Sequence, residues 1–169
     1  MSILIQFMPT SFGELILGSY LDRLCLCDWR NRETRRNIDE RIKNGLQAVF
    51  SEGDSPVIDE AKKQLEAYFA GQRRDFDLPM RLVGTPFQLR VWEELQRVPY
   101  GHTETYRAIA RQLGNEMAFR AVASASAANA ISLFIPCHRI IGSKGELVGY
   151  AGGKETKERL LLLEGRLDR

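Results

Sequence analysis

Residues 71–87, GQRRDFDLPMRLVGTPF, hold Pro79, Gly84 and Pro86 close together, and the chain reads differently on either side of them. Proline fixes φ and removes a backbone donor, and glycine stops helices, so no helix or central strand runs through such a stretch. Upstream, ILIQFMPTSFGELILGSYLDRLCLCDW carries turn signals at Pro9-Thr10, Phe12-Gly13, Gly18-Ser19 and Leu21-Asp22, with apolar residues at strand-like spacing between them. This predicts an antiparallel meander over residues 1–30. Residues 31–54 are charged and then mixed, and a short helix is expected there. Residues 57–70 place Ile58, Ala61, Leu65, Tyr68 and Phe69 on one helical face, with Gly71 as a stop.

Downstream the periodicity is helical. Thr85 can cap a helix that has Pro86 at its first position, and Phe87, Val91, Leu95 and Val98 recur along it until Pro99-Tyr100-Gly101. TETYRAIARQLG (103–114) is a second helix, with Tyr106, Ile109, Ala110 and Leu113 as its apolar face. EMAFRAVASASAAN (116–129) follows after a short turn at Gly114-Asn115, the layout of a helix-turn-helix. A glycine-rich loop, GSKGELVGYAGG, then leads into a closing helix over 154–165. The fold expected is α+β. A small N-terminal α/β support domain with a short antiparallel sheet (1–80) precedes a helical C-terminal domain with a helix-turn-helix (81–169).

Composition narrows the partners. Of the 169 residues 44% are hydrophobic and 27% charged, which suits a packed core, and no apolar run has the length of a membrane span. The start, MSILIQFMPT, has no basic region or clean cleavage signal, so a cytoplasmic protein is expected. The net charge of +2 is uneven: residues 1–84 carry 12 Lys/Arg against 13 Asp/Glu, and residues 85–169 carry 12 against 9. A mildly basic second half permits contact with phosphate.

Cysteine use is sparse. Cys25, Cys27 and Cys137 are an odd count, which argues against a disulfide framework. Cys25 and Cys27 are two apart, which puts both on one face of a strand, and with only His102 and His138 to join them strand core outweighs a metal site. Cys137 stands in IPCHRIIG, between Pro136 and His138. A thiol there is either core filler or a nucleophile. A free thiol is mostly protonated at neutral pH and needs a base or a positive dipole to become reactive. Chain neighbours usually point apart, so contact between Cys137 and His138 requires a bridging water or an unusual backbone turn, which Pro136 could hold rigid. A hydrolase of the papain type would need a distant histidine, and His102 lies in a polar turn. The run from Ala121 to Ala128, nearly all Ala and Ser, fits tight helix packing or close approach to a DNA groove.

IPCHRIIG with GYAGG behind it, ARQLG and RAVASASAANAIS before it, and TPFQLRVWEELQRVPYGHTETY further upstream resemble the methylated-DNA–protein-cysteine methyltransferases, which repair guanine alkylated on O6. The ordered motifs cover about residues 84–165. The resemblance implies a flipped base and a helix-turn-helix in the minor groove, with Ala121, Ala123, Ser124 and Ala128 on the contacting helix. Arg120 would fill the gap in the base stack, and Tyr106 would lie by the rotated phosphate and the base's minor-groove edge. Asn129 would tie the recognition helix to the active segment. Cys137 would accept the alkyl group, His138 would act through a water as its base, and Glu164 would orient His138. The carbonyls of Cys137 and Ile140 would receive the exocyclic amine of guanine, with Tyr150 and the N–H of Ala151 on the O6 side.

The activity implied is single-turnover, irreversible alkyl transfer from O6-alkylguanine in duplex DNA, and less well from O4-alkylthymine. The protein would be a monomer without cofactor, metal or membrane contact. Ala123 stands where the family usually has glycine, Ala130 where proline is usual, and Ala151 where some relatives have serine. The first two departures motivate the alternative of a non-turnover module that binds alkylated DNA and recruits repair factors. A sequence-specific regulator using the same helix-turn-helix is a weaker option.

Overall fold

The structure, a computed structural model, describes residues 1–165. Strands β1 (Ser2–Thr10), β2 (Gly13–Tyr20) and β3 (Arg23–Trp29) form the expected antiparallel meander. Leu21 and Asp22 make the β2–β3 turn with φ of 49° and 57°, the left-handed pair that a two-residue hairpin requires.

The sheet is mixed rather than purely antiparallel. The expected helix is α1 (Arg35–Leu46), and behind it a fourth strand, β4 (Val49–Glu52), pairs parallel to β1 and gives the order β3-β2-β1-β4. The four residues of β4 are half-buried or exposed, so no alternation marked them.

Cys25 and Cys27 lie on opposite sides of the sheet, against expectation. Gly18 pairs with Leu26 and Ser19 with Leu24, so Cys25 is the extra residue of a bulge in β3. A bulge breaks the two-residue alternation. Cys25 therefore packs with Ile3, Ile5 and Ile42, while Cys27 packs with Leu15, Leu17 and Ile131.

Helix α2 (Pro56–Phe69) starts where Ser55 Oγ accepts from Ile58 N. It buries Ile58, Ala61, Leu65 and Tyr68, and Phe69 is half-buried against Phe12. In the second half, α3 (Pro86–Leu95) opens with a reciprocal capping box between Thr85 and Gln88. Helices α4 (Tyr106–Gln112) and α5 (Phe119–Ala127) form the helix-turn-helix. Between them Gly114 takes φ 92° and a 3-10 turn spans Glu116–Ala118. The small-residue helix packs closely on one face and is open on the other. Val122, Ala125 and Ser126 are buried, with Trp92 Nε1 donating to Ala125 O at 2.8 Å, while Ala121 and Ser124 are exposed. Helix α6 (Lys154–Leu163) closes the described chain.

The two halves share one apolar core. Leu15, Leu65, Val91, Ile109, Cys137 and Leu160 belong to a single buried cluster. The outer edge of β3 is stitched to the second half and to the connecting segment. Cys27 N donates to Ala130 O (2.8 Å), Ser132 N to Cys27 O (2.7 Å), Leu24 N to Pro79 O (2.9 Å) and Arg81 N to Leu24 O (2.8 Å). Pairing of this kind covers the outer edge of β3 at Leu24 and Cys27.

Candidate active site

The segment after α5 turns back sharply. Leu133 adopts φ 76°, a left-handed state that costs a leucine about 1–2 kcal/mol. Asn129 holds the turn from both sides: its Nδ2 donates to Ile135 O at 2.9 Å, and its Oδ1 accepts from Ile131 N at 3.0 Å. Pro136 follows, then a 3-10 turn over Cys137–Arg139, then β6 (Ile140–Ile141), which pairs parallel to β5 (Glu104–Thr105) just before α4. Asn129 thus joins the end of α5 to the segment that carries Cys137.

Cys137 is buried, and its Sγ accepts from Asn129 Nδ2 at 3.2 Å. Burial pushes its thiol up from the ordinary value, against the lowering effects of the Asn129 bond and the Lys157 charge. The resting thiol is protonated and needs a base. His138 is fully buried beside it, and no hydrogen bond joins the two side chains among the described residues.

His138 Nε2 lies 2.8 Å from Glu164 Oε2, and its Nδ1 is buried with no partner among the described residues. Burial lowers the imidazole's pKa more than Glu164 raises it, so His138 is neutral at pH 7. Facing a carboxylate, Nε2 carries the proton, which leaves the lone pair on Nδ1. Glu164 is itself buried, which would raise its pKa, but the bonds from His138 and Arg139 and the Arg139 charge prevail, joined by the His138 charge once acid protonates the ring, and hold it at about 2. Arg139 donates from Nε to Oε1 at 2.9 Å and from Nη2 to Oε2 at 3.1 Å, and its Nη1 donates to Val98 O at 2.7 Å. With His138 neutral, Arg139 is the cation that keeps Glu164 ionised.

Four groups in this cluster escaped sequence reasoning. Arg139 is one. Tyr68, from α2, donates to Glu164 Oε2. Lys157 is wholly buried without a carboxylate partner among the described residues, and its Nζ donates to Ile140 O and, at 3.0 Å, to Val148 O. Burial lowers it to about 8. Its position on the apolar stripe with Leu160, Leu161 and Glu164 was a visible signal. Trp29 is the fourth: its Nε1 donates to Tyr150 Oη at 2.9 Å.

Tyr106 opens α4; its Oη donates to Val148 O at 3.1 Å, and burial together with the nearby thiol pushes it up to about 12. The Cys137 carbonyl accepts from Ile140 N, and the Ile140 carbonyl takes the Lys157 ammonium. A cavity of about 290 Å³ is lined by Tyr150, Ala151, Gly149, Gly153 and Ala127 of the second half and by Arg32, Glu33 and Thr34 of the first. On α5, Arg120, Ala121 and Ser124 are exposed, and Ala123 is half-buried. Ala128 lies past the helix end, half-buried, with its carbonyl accepting from Arg41 Nη2 at 2.8 Å. Arg120 stands 5.7 Å from the Phe119 ring, which also carries the Arg107 guanidinium at 4.0 Å. Among the described residues no group of three His, Cys, Asp or Glu could hold a metal, and no helix is long and apolar enough to cross a membrane.

A buried thiol next to a buried imidazole whose Nε2 faces an ionised carboxylate, on a segment that follows a helix-turn-helix, has the parts of a reactive-cysteine site. Residues 3–82 match the 6-O-methylguanine DNA methyltransferase ribonuclease-like domain, and residues 86–166 match the DNA binding domain of the same name. The chain belongs to this family, the methylated-DNA–protein-cysteine methyltransferases. It is 41% identical over 162 residues to the constitutive enzyme of that name from Bacillus subtilis, covering 92% of this chain and 91% of the relative. The Mycobacterium leprae relative is 50% identical over 160 residues, covering 93% and 89%. The structure of Mycobacterium tuberculosis OGT in complex with DNA superposes with a TM-score of 0.80 at 36% identity, covering 97% of this chain and 92% of that one.

Proposed function

We propose that this protein repairs DNA by moving an alkyl group from O6 of guanine in the duplex onto Cys137, once per molecule. Membership of the family over nearly the whole chain supports the reaction, and DNA is the partner of the mycobacterial relative. The observation that carries the mechanism is the buried Nδ1 of His138, which has no partner among the described residues, on a ring held by an ionised Glu164. An unpaired buried nitrogen is costly, and a water bonded to Nδ1 and to Cys137 Sγ would satisfy it.

In this reading the thiol proton passes through that water to His138 Nδ1. The thiolate attacks the alkyl carbon, an S–C bond forms and the C–O6 bond breaks. The electron pair goes to guanine, which takes the proton back as Tyr106 donates to the departing base. Asn129 holds the thiol in place. The carbonyls of Cys137 and Ile140 receive the exocyclic amine, and Tyr150 and the N–H of Ala151 border O6. Arg120, Ala121, Ala123 and Ser124 enter the minor groove, and Arg120 fills the stack behind the flipped base. O4-alkylthymine is a poorer substrate. The protein acts as a cytoplasmic monomer, and residues 1–80 support the reacting half, residues 81–169.

The test is to mix the protein with a duplex carrying one O6-methylguanine and weigh the intact protein. A gain of one methyl, absent in Cys137→Ser, is expected. Lesion-selective binding with no mass change would sink alkyl transfer and leave a non-turnover binding module.

A further inference from the structure

Tyr150 is wedged between two rings from opposite halves of the molecule. The Trp29 ring packs edge-on at 6.3 Å and 72°, and the His138 ring at 6.3 Å and 69°. The Trp29 indole N–H donates to Tyr150 Oη at 2.9 Å. That bond occupies one phenol lone pair and leaves the phenol's own proton free to donate elsewhere.

Trp29 is itself held on a rigid footing. It is 5% exposed at the end of β3. The buried Asp28 accepts from Trp29 N at 2.9 Å and from Ser132 Oγ, on the Cys137 segment, at 3.3 Å. Its other oxygen takes Arg32 and Arg35, each at 2.9 Å. The 150–153 loop lies directly on the indole: a Cβ at Gly152 would come within 2.8 Å of Trp29 Nε1 and 2.9 Å of Tyr150 Cε2. Beyond the indole a cavity of about 150 Å³ opens, bordered by Phe12, Asn31, Arg32 and Ala151.

We infer that Trp29, a residue of the N-terminal sheet, is a positioning residue that fixes the Tyr150 ring and so sets the size of the alkyl group the site accepts. The inference rests on the alkyl-transfer reading above. With the indole bond in place, the Tyr150 ring is a fixed wall. Without it, nothing ties the phenol to β3 and the ring is free to shift. A large alkyl group then gains room, and a methyl group loses the close wall that orients it.

The experiment compares transfer from duplexes carrying O6-methylguanine or O6-benzylguanine, followed by intact mass, in wild type, Trp29→Phe, Tyr150→Phe and the double variant. Trp29→Phe keeps an aromatic ring but removes the donor together with part of the indole's bulk, so Tyr150→Phe, which removes only the phenol oxygen, isolates the bond. The benzyl-to-methyl rate ratio should rise about fivefold or more in each single variant, the scale of one pocket contact. The double variant should show no further rise, because both changes break one bond. Tyr150→Phe leaves Trp29 in place, so it reports even if Trp29→Phe folds poorly, and it should shift the Trp29 indole N–H resonance. A wild-type ratio in both single variants, or additive effects in the double variant, would overturn the inference while leaving alkyl transfer intact. Failure of the wild-type protein to take up any alkyl group would overturn both.

Discussion

Tyr68 Oη lies 2.5 Å from Glu164 Oε2, the same oxygen that His138 Nε2 meets at 2.8 Å. A phenol from α2, on the sheet side of the molecule, therefore shares the carboxylate that orients the imidazole beside Cys137. Removing that donor leaves Oε2 more basic, and a more basic carboxylate stabilises the protonated imidazole.

Tyr68→Phe should consequently raise the His138 pKa and move the acid limb of the transfer rate to higher pH. The lost bond to a charged acceptor should cost about 1.5–3 kcal/mol of stability. Transfer rates by intact mass from pH 5 to 8, with denaturant midpoints on the same variant, check both effects. An unmoved acid limb would separate Tyr68 from the chemistry and leave it a purely structural role.

Acid should destabilise the fold through Glu164. Its pKa is held at about 2 against an ordinary 4.5, because the His138 and Arg139 contacts outweigh burial. The corresponding stability is complete above the unfolded value and is lost as pH falls from 4.5 toward 2, a difference of about 3 kcal/mol. His138 acts in the same direction. Burial lowers its pKa, so below 6.5 the unfolded chain takes up the proton first. Urea midpoints against pH should fall steeply below 4.5 in wild type and less steeply in Glu164→Gln.

Lys157→Met should make Cys137 a poorer nucleophile. The lysine charge favours the thiolate against burial, and removing it raises the thiol pKa further. Alkylation of Cys137 by iodoacetamide at fixed pH should slow about three- to tenfold, the effect of one nearby charge. Cys25 and Cys27, both buried, serve as internal references in the peptide map.

Arg120→Ala should slow repair in duplex DNA about tenfold or more while barely changing transfer from the same lesion in a short single strand, since only the duplex must be unstacked. Equal slowing on both substrates would remove the stack-filling role. Binding of wild type to undamaged duplex should weaken as salt rises, through release of counterions.

The legible parts of the molecule were those carried by local pattern. Helix α2 announced itself by the spacing of Ile58, Ala61, Leu65 and Tyr68, and α3 by Thr85 and Pro86. The adjacency of Cys137 and His138 raised the question of a nucleophile, and family resemblance drew Glu164 to it. What failed was long-range or irregular. β4 is too short and too exposed to show alternation. One bulged residue sent Cys25 to the other face. Tyr68 and Trp29 reach their partners across 96 and 121 residues, and nothing local marks a core aromatic as a hydrogen-bond donor to a site that distant. Lys157 lay between these cases, since a cation on an apolar stripe is a readable anomaly.

The stitched edge of β3 has a consequence for covalent continuity. Leu24 is bonded on both sides by the connecting segment, through Pro79 O and Arg81 N, and Cys27 is bonded on both sides by the Cys137-bearing half, through Ala130 O and Ser132 N. Apolar side chains from both halves interleave in one cluster. A single proteolytic nick beside the exposed Arg74 would cut the chain upstream of these attachments and leave every one of them in place. The two fragments should migrate together under native conditions, separate only in denaturant, and rebuild an intact thiol site when mixed from separate solutions.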